Sequence, residues 1–142
     1  MKDYHCLINE RVHYFYWNEN LNCAITTLKI LSEIFEIDLC PQVLNSTIGM
    51  LDAGRLGAWC GLIEGSLMFF GILGKERCYE NKTIVNWCYD FSGEFKKLFG
   101  SLVCRELRPQ GFRPENPPHL CEELTEKAIE LAANYVYKIT NK

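Results

Sequence analysis

The chain lacks most features that would declare a familiar activity. Positive charge is not in excess: 15 lysines and arginines face 18 aspartates and glutamates, for a net charge of −3. No global field therefore draws the chain to nucleic acid or to anionic lipid, and neither is expected as a partner. Long apolar runs are missing too. The stretch from Leu62 to Leu73 is broken by Glu64, Gly65 and Gly71 and falls short of the ~20 residues a bilayer requires, so no membrane insertion is expected. Alternating β-branched residues and internal repeats are absent, which removes the usual signs of a sheet or a solenoid. Histidine is scarce, and His5, His13 and His119 show no metal-ligand spacing. There is no C-x-x-C, no C-x-x-C-H, no phosphate-cradling glycine loop, no G-x-G-x-x-G after a strand and no serine-triad signature. Zinc ribbons, thioredoxin-type sites, covalent c-type haem, nucleotide hydrolysis and serine hydrolysis lose their motifs accordingly. Met1 to Cys6 shows no charged-then-apolar leader pattern, so a cytoplasmic location is expected.

Eight cysteines stand out against this background: Cys6, Cys23, Cys40, Cys60, Cys78, Cys88, Cys104 and Cys121. In a reducing compartment such a number points to metal binding or redox chemistry before disulfides. The chain's 142 residues, 48% hydrophobic and 13% aromatic, suffice for one domain over residues 1–142 with a real core.

Periods near 3.6 dominate, and the pattern predicts an all-α, compact bundle of five to six helices. A first helix is expected over Asp3 to Tyr16. A second spans Leu21 to Ile37, with Ala24, Leu28, Leu31 and Phe35 inward and Thr26, Lys29, Glu33 and Glu36 as its polar stripe. Pro41 suits the first turn of a short third helix reaching Ile48. A fourth runs from Ala58 to Leu73 and a fifth ends at Phe99-Gly100, with Ile84, Cys88, Phe91, Phe95 and Leu98 as its inward seam. Arg108 to Pro118, with four prolines, reads as a loop leading to a last helix over His119 to Ile139, whose inward face carries Cys121, Leu124, Ala128, Leu131 and Tyr135.

The segment Ala53-Gly54-Arg55-Leu56-Gly57-Ala58-Trp59-Cys60-Gly61-Leu62-Ile63-Glu64-Gly65 places a cysteine in a glycine-rich turn that opens a helix. Unpaired N–H groups and the positive end of the macrodipole favour thiolate there. Cys23 and Cys121 also open predicted helices, and Cys104 follows the fifth. These four lie 37, 44 and 17 residues apart. Cys88 falls in a core seam, and Cys6, Cys40 and Cys78 have no special context. Taken singly, each cysteine has a plainer explanation as a small buried hydrophobe.

Taken together, they resemble a known family, the redox-active proteins named for a C-GCAxxG-C-C pattern. Asn22-Cys23-Ala24 is similar to the first cysteine motif, Gly54 to Gly65 to the glycine-rich CGAxxG segment, and Phe99-Gly100 to Leu107 to the third motif, with Cys121 in the last position. The chain departs from that pattern at Asn20, at Met50-Leu51-Asp52 and at Leu62.

The resemblance implies redox activity at Cys23, Cys60, Cys104 and Cys121. Four thiolates are the usual complement of an iron–sulfur cluster. On this expectation Gly57 and Gly61 lend backbone N–H groups to the sulfurs, Arg55 and Arg105 offset their charge, and an electron-transfer partner is required. Zinc at the same thiolates would make a structural site instead. A metal-free thiol–disulfide oxidoreductase with Cys60 as attacking thiol is the rival reading, and a non-redox interaction module is the third. His119 is a substitute ligand should one cysteine fail to converge, and Glu64 is a candidate proton carrier, although a solvated carboxylate is the commoner role. Tyr14, Phe15, Tyr16 and Trp17 suit a bundle core or a dimer surface, homodimerisation being plausible for a small all-α redox protein. Lys96-Lys97 reads as a solvated helix face.

Overall fold

The structure, a computed structural model, describes residues 3–108, 111–113 and 115–141. Among them the regular elements are all helical: α1 (His5–Trp17), α2 (Cys23–Phe35), α3 (Pro41–Asn45), α4 (Gly61–Glu76), α5 (Asn81–Phe99), α6 (Cys104–Leu107) and α7 (Glu122–Thr140). Short 3₁₀ turns occupy Ile48–Met50 and Pro118–Cys121. Seven helices replace the expected five to six because α6 is a single turn, too short to leave a periodic trace in the sequence.

Helix ends follow from local chemistry. Asp3 accepts the His5 N–H at 2.9 Å and starts α1 later than expected. The Asn22 side chain accepts the Ile25 N–H at 3.0 Å, which makes Cys23 the first residue of α2. That helix stops at Phe35, short of Ile37, because Glu36 turns left-handed at φ 56°. The third helix stops at Asn45 rather than Ile48, and α4 starts at Gly61, not Ala58. Gly100 closes α5 at φ 90°, the left-handed stop that the sequence announces. The last helix is preceded by the 3₁₀ turn, so it begins at Glu122 rather than His119. Of the proline loop, Pro109, Gln110 and Pro114 lie outside the described residues.

The core is centred on α4, which packs against α2, α5 and α7. Leu28 and Leu31 of α2, Ile63, Phe69, Phe70 and Leu73 of α4, Phe91 and Phe95 of α5, and Ile129 and Ala132 of α7 are sealed from solvent. Two assignments are corrected. In α5 the inward position belongs to Trp87, while Cys88 is half-buried and Leu98 is 62% exposed. In α2, Thr26 is buried, because this helix is covered by α1, α4 and α7 and keeps little polar surface. Lys96 and Lys97 are exposed as expected.

Two glycines decide how closely α4 approaches α2. A Cβ on Gly65 would lie 2.7 Å from the Ala24 carbonyl oxygen, and one on Gly61 would lie 3.0 Å from the Ala24 nitrogen and 3.1 Å from the Cys23 Cβ. The missing side chains let the N-terminal ends of the two helices touch. That contact brings Cys23 to Cys60. Among the described residues no helix is long and apolar enough to cross a membrane.

Candidate functional site

Cys23, Cys60, Cys104 and Cys121 all line one cavity, together with Asp52, Ala53, Arg108 and Leu124. Each stands at a helix start. Cys23 is the first residue of α2, Cys60 is the cap of α4, Cys104 is the first residue of α6, and Cys121 is the cap of α7. A small antiparallel bridge between Trp59 and Val103 fastens two of them. The Cys60 N–H donates to the Leu102 carbonyl at 2.9 Å, and the Cys104 N–H donates to the Ala58 carbonyl at 2.7 Å. All eight cysteines are free thiols, and Cys6, Cys40, Cys78 and Cys88 do not line this cavity.

Loss of solvent disfavours the thiolate form of three of these cysteines, Cys23, Cys60 and Cys121. Burial pushes Cys23 up to about 12, the neighbouring Cys121 adds to the rise, and the Tyr16 hydroxyl opposes it. Burial also raises Cys60, with Cys23 adding; the N–H groups of Leu62 and Ile63 act in the other direction and do not offset it. Cys121 is raised by burial against the Arg108 guanidinium. The helix-end activation expected of Cys60 is therefore outweighed by loss of solvent.

Several polar groups at the site escaped the sequence reading. Tyr16, buried on α1, donates its hydroxyl to the Cys23 Sγ at 3.2 Å and shares a 2.6 Å hydrogen bond with Thr125 of α7. Arg108 has a side chain only 4% exposed and pairs with Asp52, whose side chain is 2% exposed. A further Arg108 nitrogen donates to the Asn116 carbonyl at 3.3 Å. Its Nε has no hydrogen-bond partner among the described residues. Spacing held a signal for Arg108, since it stands one helical turn after Cys104. Asp52 stands out in the sequence only as part of a departure from the family pattern, and Tyr16 only as one of an aromatic group; neither sign points to the role it has here.

Asp52 opens a left-handed turn that forms one wall of the cavity. Asp52, Ala53, Gly54 and Arg55 have φ of 50°, 52°, 72° and 66°. For the three that are not glycine this costs about 1–2 kcal/mol each. The turn is tied down by Arg108 on Asp52, by Arg55 on Asp52 at 3.2 Å, and by Arg105 on the Leu56 carbonyl at 2.9 Å.

The arrangement revises the supporting cast. Arg55 is 57% exposed on its side chain, and Arg105 lies over the Phe112 ring, 5.1 Å from its centroid; the buried cation is Arg108. Gly57 gives its N–H to the Asp52 carbonyl, and a Cβ there would collide with Arg105 and Phe112 at 2.9 Å. Gly61 lies against α2. Both glycines serve packing, and the N–H groups beside the Cys60 sulfur belong to Leu62 and Ile63. His119 stacks on Trp17 with centroids 4.0 Å apart and does not line the cavity. Glu64 is half-buried and also stands outside it. The aromatic group divides, Tyr16 facing the cysteines while Tyr14 and Trp17 are exposed.

The cavity has a volume of about 20 Å³, room for one or two species the size of a water molecule. Among the described residues no three histidine, cysteine or acidic side chains already stand as an ion-binding group. The donor chemistry nonetheless matches a thiolate-loving centre: four sulfurs, no competing histidine, and a buried guanidinium with an unpartnered N–H.

A family model described as "Putative redox-active protein (C_GCAxxG_C_C)" matches residues 21–135. The chain belongs to this family. No curated protein and no solved structure matches it.

Proposed function

We propose that this redox-family protein carries electrons on a metal centre, an iron–sulfur cluster, held by Cys23, Cys60, Cys104 and Cys121. The observation that supports this most is that four helix starts, remote in sequence, present their cysteines to one buried cavity. Helix N-termini favour negative charge, and three of the four helices are long enough for that effect to matter. Iron bound there would supply a one-electron couple. The chain's own groups would tune it: the Tyr16 hydroxyl on Cys23, the Leu62 and Ile63 N–H groups beside Cys60, and the exclusion of water by Leu62 and Leu124. The cavity as it stands is close to the size of a water molecule, so loading a 2Fe–2S core would require its walls to move outward and the four sulfurs to rearrange around it.

The half-buried state of Cys104 favours a second, metal-free reading. Cys104 and Cys23 are half-buried while Cys60 and Cys121 are buried, and Cys23 is engaged by the Tyr16 hydroxyl, which leaves Cys104 as the thiol that attacks an incoming disulfide in this reading. Cys104 thiolate would attack one sulfur of that disulfide and release a thiol. A neighbouring cysteine would then displace the second thiol, leaving one disulfide in the protein and two reduced thiols outside.

Iron, zinc and acid-labile sulfide determined on protein purified without oxygen, with a visible absorption spectrum, separate these readings. The metal-centre reading predicts iron and sulfide in equal amounts with sulfur-to-iron absorption. Colourless, metal-free protein with rapidly oxidised thiols would contradict it.

A further inference from the structure

Charge balance at the four cysteines points to one particular side chain, on the premise of the four-thiolate reading above. Four thiolates around a divalent ion leave a net negative site, and a buried charge without a counter-ion costs several kcal/mol. The helix starts provide only partial charges. Of the arginines that border the cysteine motifs, Arg55 and Arg105 are largely exposed and engaged elsewhere. Arg108 is different: it lines the cavity, its side chain is 4% exposed, and its guanidinium lies against the Cys104 sulfur. Two of its nitrogens are held by Asp52 and by the Asn116 carbonyl, which fixes the plane of the group. The third nitrogen, Nε, is buried and has no hydrogen-bond partner among the described residues. A buried guanidinium N–H without an acceptor is costly unless an acceptor arrives with the occupant of the cavity.

We propose that Arg108 is the internal counter-cation of this site, a positioning residue that donates Nε–H to a ligand sulfur and offsets the thiolate charge, while Asp52 limits how much of that charge the sulfurs feel. The assignment has a consequence of opposite sign at the two partners. Removing the Arg108 charge weakens metal binding. Removing the Asp52 charge leaves more of the guanidinium field on the sulfurs and strengthens it. Asn is suited to this exchange at position 52, since it keeps the acceptor shape and tolerates the left-handed backbone. Were the pair merely a brace for the left-handed turn, both changes would act in the same direction.

The test is titration of cobalt(II) into the metal-free full chain, without oxygen, for wild type, R108M, R108K and D52N. The sulfur-to-cobalt charge-transfer band reports the ligand set and the titration reports affinity. R108M should bind about 10- to 100-fold more weakly with an unchanged band shape, as measured for supporting residues at other metal sites. R108K should recover most of that loss, and D52N should bind as tightly as wild type or more so. Unchanged affinity in R108M, equal losses in R108M and R108K, or a loss in D52N matching that in R108M would each overturn the assignment. If R108M does not fold by far-ultraviolet circular dichroism, D52N decides: equal or tighter binding supports the counter-cation, and tenfold weaker binding overturns it. Wild type that gives no charge-transfer band at all would reject the four-thiolate premise itself, a result separable from any ranking of the variants.

Discussion

Each cysteine at the site is defined by what surrounds its sulfur. Cys23 is held by the Tyr16 hydroxyl and pushed up to about 12 by burial, while Cys60 and Cys121 rise for the same first reason. A free thiol ionises near 8.5 in the unfolded chain. Between these values the unfolded chain releases protons that the folded one retains, so stability falls as pH increases. Metal-free protein should keep its full stability below about pH 8 and lose it progressively as pH rises above that value, because the raised folded-state thiols hold protons that the unfolded chain releases. Urea unfolding at a series of pH values measures this. A flat profile between pH 8 and 11 would show that the sulfurs are better solvated than their surroundings indicate. The exposed Cys6, Cys40 and Cys78 should meanwhile react with alkylating reagents at neutral pH well before these three.

At the scale of elements, the close contact between the starts of α2 and α4 is what joins Cys23 to Cys60. Gly65→Ala would place a methyl 2.7 Å from the Ala24 carbonyl oxygen, a backbone atom that cannot step aside. A loss of about 1–3 kcal/mol is expected, with weaker metal binding, because α4 must lift away from α2. Gly71 sits on the same helix with nothing within 4 Å of an added Cβ, so Gly71→Ala should instead stabilise by about 0.5–1 kcal/mol. Thermal melting of the two variants checks the pair, and equal effects would refute the packing argument.

The glycines and cysteines were legible in the sequence because each carries its own local mark: a turn, a cap, a break in period. In α5, Ile84, Phe91 and Phe95 are buried as the period implies, and only at Cys88 does its neighbour Trp87 take the inward position, because the wider indole has more apolar surface to bury; Leu98 at the helix end is exposed. Residues whose role depends on a distant partner left no such mark. Asp52 matters only through Arg108, and Tyr16 only through Cys23 and Thr125. Arg55 and Arg105 looked suitable because they border cysteine motifs, yet a strained turn and an aromatic contact claim them.

Across the whole molecule, α4 forms the axis about which α2, α5 and α7 pack, and the cysteine end is where the chain leaves regular geometry. The left-handed turn from Asp52, the Trp59–Val103 bridge and the single-turn α6 lie side by side there. Such concentration of backbone strain beside a buried polar pair is common at functional sites, where the surrounding fold sustains it. A helical body thus carries one irregular, sulfur-lined end.

That the four sulfurs work as a unit is tested most directly by metal content in single serine variants. Cys23→Ser, Cys60→Ser, Cys104→Ser and Cys121→Ser, with Cys88→Ser as control, would be purified without oxygen and assayed for bound metal per chain. The account predicts that each of the four loses most of the metal and its absorption, while Cys88→Ser retains both. Retention of the centre in Cys104→Ser together with its loss in Cys88→Ser would contradict it.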